Sequence, residues 1–450
     1  MSGRYLPHAR MRLPAAVCAA LLSLCCREPA GPGAFDPIDD SPGAVAWSAL
    51  SVGAYSSCAL TTAGRAYCWG LNPSLPCTST GCEVDRVPTA VPGAPELVAL
   101  SVGGFESCGI SRDAQLWCWG KTFDTTLGDG VTKASAAAIP IPLAYRVAQV
   151  SAGYNGTCIL DVAGAAYCWG PFGAPLGAGA GIDRANTPVA VATALRFTAL
   201  SVGNTQACAI DTTRDAYCWG SGYGSLGIGA ADTSCAFSTS CTRASVPMLV
   251  TGGLKWADIS AGNTFTCGVT VDGAAYCWGD VRNTRDPFGP LGLLGSGLPE
   301  GSRSPVAVAG GHHFRAIRTG TRQACGISTD GAAFCWGDNQ GGELGIGHAD
   351  VLAYPGATGR YSSPQPVVGA LRFASIAEGE VSCGISTAAN LYCWGVTYGG
   401  QLGIGTVEPG YRAAPTRTAD PAAARANERD GGFRSSVRPL LHSYAPNTHS

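Results

Sequence analysis

The chain has 450 residues, 63 of them glycine and 21 cysteine, with 46% hydrophobic and 13% charged residues and a formal net charge of -2. That length admits several ordinary domains or one large closed repeat, and glycine-rich, weakly charged composition favours many short strands over long helices. A near-neutral chain with no long run of one sign argues against nucleic-acid or acidic-membrane binding, and so many cysteines would be a liability in a reducing cytosol unless they held metal.

At the start, Arg10 and Arg12 precede an apolar stretch, Leu13 to Leu24, too short to span a bilayer and suited to a signal-peptide core. Leu22-Ser23-Leu24-Cys25 resembles a bacterial lipoprotein cleavage box, which makes Cys25 a candidate for lipidation, with Cys26 beside it. Leu24 stands where a small residue is expected, and an ordinary signal peptide containing cysteines is the alternative. Residues 1-26 are read as this leader and 27-46, rich in Pro, Gly and Ala, as a flexible spacer.

From Trp47 one unit recurs seven times: a strand ending in Gly, a short loop, Cys, nine residues, then Cys-Trp-Gly. The pairs are Cys58 with Cys68, Cys108 with Cys118, Cys158 with Cys168, Cys208 with Cys218, Cys267 with Cys277, Cys325 with Cys335, and Cys383 with Cys393. Within a unit, Phe197 to Val202 alternates as a strand until Gly203. Cys208-Ala209-Ile210 and Ala216 to Trp219 then form a hairpin, and a Pro-Val stretch (Pro188 to Val191, echoed at Pro305 to Val308 and Pro366 to Val368) supplies a fourth strand. About four short strands per 50 to 60 residues is the size of a propeller blade. The expected fold is all-β, a seven-bladed β-propeller over 47-405 with about four antiparallel strands per blade. The remainder, 406-450, lacks period and reads as a largely disordered tail.

The hairpin fixes a register. If Cys58 and Cys68 face each other, Thr62, Ala63 and Gly64 form a three-residue loop whose last position wants a left-handed conformation, and glycine stands there at Gly64, Gly164, Gly273 and Gly331. Opposed residues on paired strands are within disulfide reach. Two further pairs, Cys77 with Cys82 and Cys235 with Cys241, sit in equivalent loops after the Trp-Gly step and read as small loop staples.

The seven tryptophans of these steps read as packing between blades. The loop between the strand-ending Gly and the first Cys is more informative, because its residues vary from repeat to repeat on an otherwise regular scaffold. Tyr55, Phe105, Tyr154, Phe265 and Arg322 are the candidate partner contacts, aromatic and Arg side chains being those that dominate binding hot spots. Neutral drift of loop residues is the alternative. The Cys spacing does not suit zinc, and His312 and His313, read as neighbours in one strand, would point to opposite faces. No metal, cofactor or catalytic residue is expected.

Gly, a short loop, Cys, Gly/Ala-Ile/Leu, then Gly-x-x-Tyr-Cys-Trp-Gly and a downstream Gln-Leu-Gly or Glu-Leu-Gly resembles the repeat of the regulator of chromosome condensation family. Gly341-Gly342-Glu343-Leu344-Gly345 and Gly399-Gly400-Gln401-Leu402-Gly403 match its ending. The resemblance implies a seven-bladed propeller closed by pairing both chain ends in one blade. Paired cysteines set this chain apart from the nuclear members and resemble an exported bacterial branch, which includes inhibitors of β-lactamases. The expected function is a non-catalytic, monomeric scaffold outside the cytoplasm that binds a protein or glycan partner and no nucleic acid, and inhibition of a secreted enzyme is one version. A structural cell-envelope component, or a lyase or hydrolase acting on the propeller axis, are the alternatives.

Overall fold

The computed structural model describes residues 36–71, 84–122, 125–171, 173–222, 224–229, 242–279, 292–350, 359–396, 399–406 and 410–421. These residues form 28 strands in seven four-stranded antiparallel sheets, each built from four consecutive strands. Blade one runs from an inner strand, Trp47–Val52, through Ser56–Thr61 and Ala66–Leu71 to an outer strand, Val84–Ala90. The inner strand of each blade touches those of its neighbours, and the seventh touches the first. The fold is a seven-bladed β-propeller.

The strand expected at Phe197–Val202 is found there. Outer strands begin earlier than their Pro-Val stretches, at Ala185–Ala190, Ser302–Ala307 and Arg360–Pro366. Proline is tolerated because each of these is a sheet edge with one side unpaired.

Glycine ends every inner strand because the blades meet there. A Cβ on Gly53, Gly103, Gly153, Gly203, Gly262, Gly320 or Gly379 would lie 2.1–2.8 Å from the carbonyl oxygen of the matching glycine in the next blade, with Gly379 meeting Gly53. Gly203→Ala is expected to cost about 3 kcal/mol, because the methyl meets backbone that cannot rotate away; urea unfolding checks this. Just before the glycine, Ser51, Ser101, Ser151, Ser201 and Ser260 each accept a bond of 2.9–3.0 Å from a backbone N–H of the next inner strand. The hydroxyls thereby satisfy donors on a strand edge that has no ladder partner.

All seven tryptophans of the Trp-Gly steps are buried, from Trp219 at 0% to Trp119 at 6% exposed. The indole N–H of Trp69, Trp219, Trp278, Trp336 and Trp394 donates to a carbonyl in the preceding blade: Gln401, Pro175, Ser225, Leu293 and Glu343 respectively, at 2.7–3.0 Å. The glycine of the Leu-Gly step follows at positive φ and lies flat on the same indole, as Gly403 does on Trp69 and Gly345 on Trp394. The repeat's downstream Leu-Gly is therefore a clamp on the next blade.

Each hairpin sets its two cysteines directly opposite each other on neighbouring strands. Cys58 faces Cys68, Cys108 faces Cys118, Cys158 faces Cys168, and Cys208 faces Cys218. Cys267 likewise faces Cys277, Cys325 faces Cys335, and Cys383 faces Cys393. All seven pairs form disulfides with Cα atoms 4.0–4.1 Å apart, the close spacing of a non-hydrogen-bonded pair. The sulfurs therefore staple the two central strands of every blade. Gly64, Gly164, Gly273 and Gly331 are left-handed with φ of 81–88°, and Ala114, Arg214 and Ala389 take the same conformation in the other three blades. Cys25, Cys77, Cys82, Cys235 and Cys241 lie outside the described residues.

Three expectations are corrected. The chain ends do not share a blade: blade seven is complete in itself, its outer strand Tyr411–Arg417 lying in the stretch read as a disordered tail. The ring closes instead through bonds that repeat at every junction: Trp47 N–H donates to Ala389 O at 3.0 Å, as Leu97 does to Gly64 and Phe197 to Gly164. The end of the stretch read as a spacer is also docked. Asp40 accepts from Ser386 Oγ at 2.7 Å, Asn390 Nδ2 at 2.7 Å and Tyr392 Oη at 3.1 Å, and Gly43 N–H donates to the amide oxygen of Asn390. Finally, His312 and His313 precede the strand Phe314–Thr319; His312 packs on Phe334 and His313 reaches the carbonyl of Asp272.

Candidate functional site

Antiparallel order puts the loops after the inner strands at one end of the propeller axis and the hairpin turns at the other. Around the axial mouth, the first residue after the strand-ending glycine is Ala54, Gly104, Tyr154, Asn204, Asn263, Thr321 or Glu380, and the second is Tyr55, Phe105, Asn155, Thr205, Thr264, Arg322 or Val381. In six junctions the N–H of the first residue donates to the neighbouring blade's glycine carbonyl at 3.1–3.4 Å, so the loops are fixed to one another. The mouth divides into three sectors of different chemistry.

Blades one to three carry an aromatic cluster. Tyr55 and Phe105 have ring centroids 4.7 Å apart, Phe105 and Tyr154 6.1 Å, and Tyr55 and Tyr154 6.4 Å. The two phenol oxygens are 3.2 Å apart, and burial followed by this bond raises the Tyr55 pKa above the usual phenol range. Gly104 leaves room for the arrangement, since a Cβ there would meet the Tyr154 carbonyl at 2.9 Å. Tyr154 is 44% exposed, whereas Tyr55 and Phe105 are half-buried.

Blades three to five carry an amide ladder that the sequence reading missed. Asn155 Nδ2 donates to Asn204 Oδ1 and Asn204 Nδ2 to Asn263 Oδ1, each at 2.7 Å. Asparagine in three successive loops was the available signal. In blades six and seven, Thr321 Oγ1 donates to Glu380 Oε1 at 2.9 Å and Arg322 reaches Asp338 Oδ2 at 3.4 Å. Burial raises the Asp338 pKa despite that guanidinium.

Tyr55, Phe105 and Tyr154 thus come together, while Arg322, in blade six, is exposed in the mouth outside the cluster. Phe265 is a correction. It is 0% exposed and opens the second strand of its blade, one position beyond the variable loop, so it packs in the core and cannot touch a partner.

Acids are buried between blades. Glu106 accepts from Thr157 Oγ1 and its second oxygen has no partner; burial pushes its pKa up to about 7. Glu378 ends the inner strand of blade seven, where blades one and four have Val52 and Val202, and accepts from Ser382 Oγ at 2.6 Å and Gln323 Nε2 at 3.4 Å. Burial raises its pKa well above the carboxylate range, and raises that of Glu343 to about 7. Among the described residues, Cys325, Cys335 and Glu378 are close enough to share an ion, but the two sulfurs are bonded to each other and offer no thiolate.

A family model for the regulator of chromosome condensation (RCC1) repeat matches residues 47–74 and 256–285, in the first and fifth units. Two of the seven units thus match the RCC1 repeat. The chain is 28% identical over 154 residues to human E3 ubiquitin-protein ligase HERC2, a match covering 33% of the chain and 3% of that protein. It is 28% identical over 163 residues to the ultraviolet-B receptor UVR8 of Arabidopsis thaliana (34% and 32%), and 25% identical over 165 residues to the regulator of chromosome condensation of Xenopus laevis (35% and 34%). The matches thus span about a third or less of these relatives. Among solved structures, Prp20p of Saccharomyces cerevisiae superposes with a TM-score of 0.65 at 20% identity, covering 84% of the chain and 88% of Prp20p. Human WBSCR16 gives 0.63 at 17% identity, covering 79% and 94%. Both likenesses are of fold. Prp20p was studied for its binding to Gsp1p and histones, and the yeast protein is also known bound to Kap60.

Proposed function

We propose that this RCC1-type propeller is a non-catalytic binding scaffold that works outside the cytoplasm and holds a protein partner at its axial mouth. The observation that carries the reading is the cluster of Tyr55, Phe105 and Tyr154, three rings from three blades, one of them 44% exposed, set on loops that are bonded blade to blade. Rigid aromatic side chains lose little conformational freedom on binding and anchor most protein interfaces. The partner binding described for Prp20p supports a protein over a glycan. Seven disulfides and the apolar leader support export, with Cys25 as the lipid attachment if the leader is of the lipoprotein kind. Inhibition of a secreted enzyme is the version of this role that a rigid, preformed surface suits.

The reading is tested by site-specific photo-crosslinking in the producing cells. Benzoylphenylalanine at Arg322, in the mouth, is expected to trap a discrete protein, and the same group at Ala163, in a hairpin turn at the opposite end, is expected not to. Trapping from Ala163 alone would place the binding surface on the other face.

A further inference from the structure

We propose that the protein partner inserts an arginine side chain into the mouth, its guanidinium laid on the face of Tyr55 turned away from Phe105 and directed at the Glu380 carboxylate. This rests on the mouth being the binding surface and adds the chemistry of what it receives. The Tyr55 and Phe105 rings stack on each other, with centroids 4.7 Å apart and a tilt of 32°, and the hydroxyl bond to Tyr154 fixes the Tyr55 ring. A π face attracts a cation, and does so more strongly when a carboxylate stands beside it.

Ring closure brings that carboxylate. Gly379 packs on the carbonyl of Gly53, so Glu380 directly follows the contact and Tyr55 lies two residues beyond it. Glu380 is exposed and is oriented by the 2.9 Å bond from Thr321. Arg322 and Arg360 both act on Asp338, a second carboxylate, while Glu380 is held by the Thr321 hydroxyl. Glu380 therefore offers an exposed carboxylate beside an aromatic surface. A neutral sugar would leave the Glu380 charge unanswered, and an anion would be repelled.

The test uses the full oxidised chain labelled with 3-fluorotyrosine, with Tyr55→Phe and Tyr154→Phe variants to assign their fluorine signals. The probes are acetyl-Gly-Ser-Arg-Ser-Gly-amide and the same peptide with citrulline, which keeps the shape of arginine and loses its charge. The arginine peptide is expected to shift both signals saturably, with affinity about tenfold above that of the citrulline peptide. Glu380→Gln is expected to remove most of that difference and leave the spectrum of the free protein otherwise unchanged. Equal binding of the two peptides, or no binding of either, would overturn the arginine proposal. The crosslinking at Arg322 reports on the mouth itself, so either failure can be told from the other.

Discussion

Replacing Glu106 by glutamine is expected to stabilise the propeller by about 3 kcal/mol at pH 8 and by less than about 1 kcal/mol at pH 4. Glu106 is buried and shielded from water, which favours the neutral acid and raises its pKa from 4.5 to about 7. A carboxyl whose pKa is raised on folding contributes its full stability below pH 4.5 and loses it as the pH climbs through 7. The amide avoids that loss. It also has a precedent in the same position of other blades, where Gln206 Nε2 and Gln323 Nε2 donate to the glycine carbonyls of the next blade at 2.9 and 3.1 Å. The glutamine oxygen can still accept from Thr157. Urea unfolding at pH 4, 6 and 8 reads the effect. Glu343 and Glu378 titrate in the same direction, so the variant is expected to keep part of the wild-type decline with pH. A pH-independent difference between the two proteins would mean that Glu106 is already ionised when folded.

Reducing and alkylating the seven hairpin disulfides is expected to abolish cooperative refolding at 37 °C. Each bridge joins residues ten apart in sequence, and a loop of that size restricts the unfolded chain by about 2.8 kcal/mol in the loop-entropy model. The sum over seven bridges is an upper bound, because a hairpin partly formed in the unfolded chain has less entropy to lose. Even a loss on the order of 10 kcal/mol is comparable with the whole stability of an ordinary domain. Far-ultraviolet circular dichroism during refolding from guanidinium, with and without alkylation, measures it. Equal midpoints in the two samples would show that the packed tryptophans and inter-blade bonds suffice alone.

What could be read from the sequence was what is local and repeated. The Cys spacing and Gly64 are both consequences of one hairpin, so together they gave its register, and strict recurrence of Trp-Gly marked the inter-blade packing. What escaped the reading depends on relations between blades. Phe265 and Phe105 look interchangeable in sequence, yet one strand position separates a core side chain from a loop side chain, and alternation decides which is buried. The outer strand Tyr411–Arg417 was hidden because edge strands carry proline and polar residues just as tails do. The asparagine ladder appears only when blades three, four and five are set side by side. Glu378 could have been noticed, since an acid replaces valine in one repeat, but its neighbours Ser382 and Gln323 come from two different blades.

The most direct test of the account is the affinity of the trapped partner, once purified, for the oxidised chain and for the combined Tyr55→Ala, Phe105→Ala and Tyr154→Ala variant, measured by titration calorimetry. If the aromatic cluster anchors the partner, the variant binds at least about 100-fold more weakly while its far-ultraviolet circular dichroism remains that of the folded propeller. Equal affinity for the two proteins would contradict the account and take the binding surface away from the mouth.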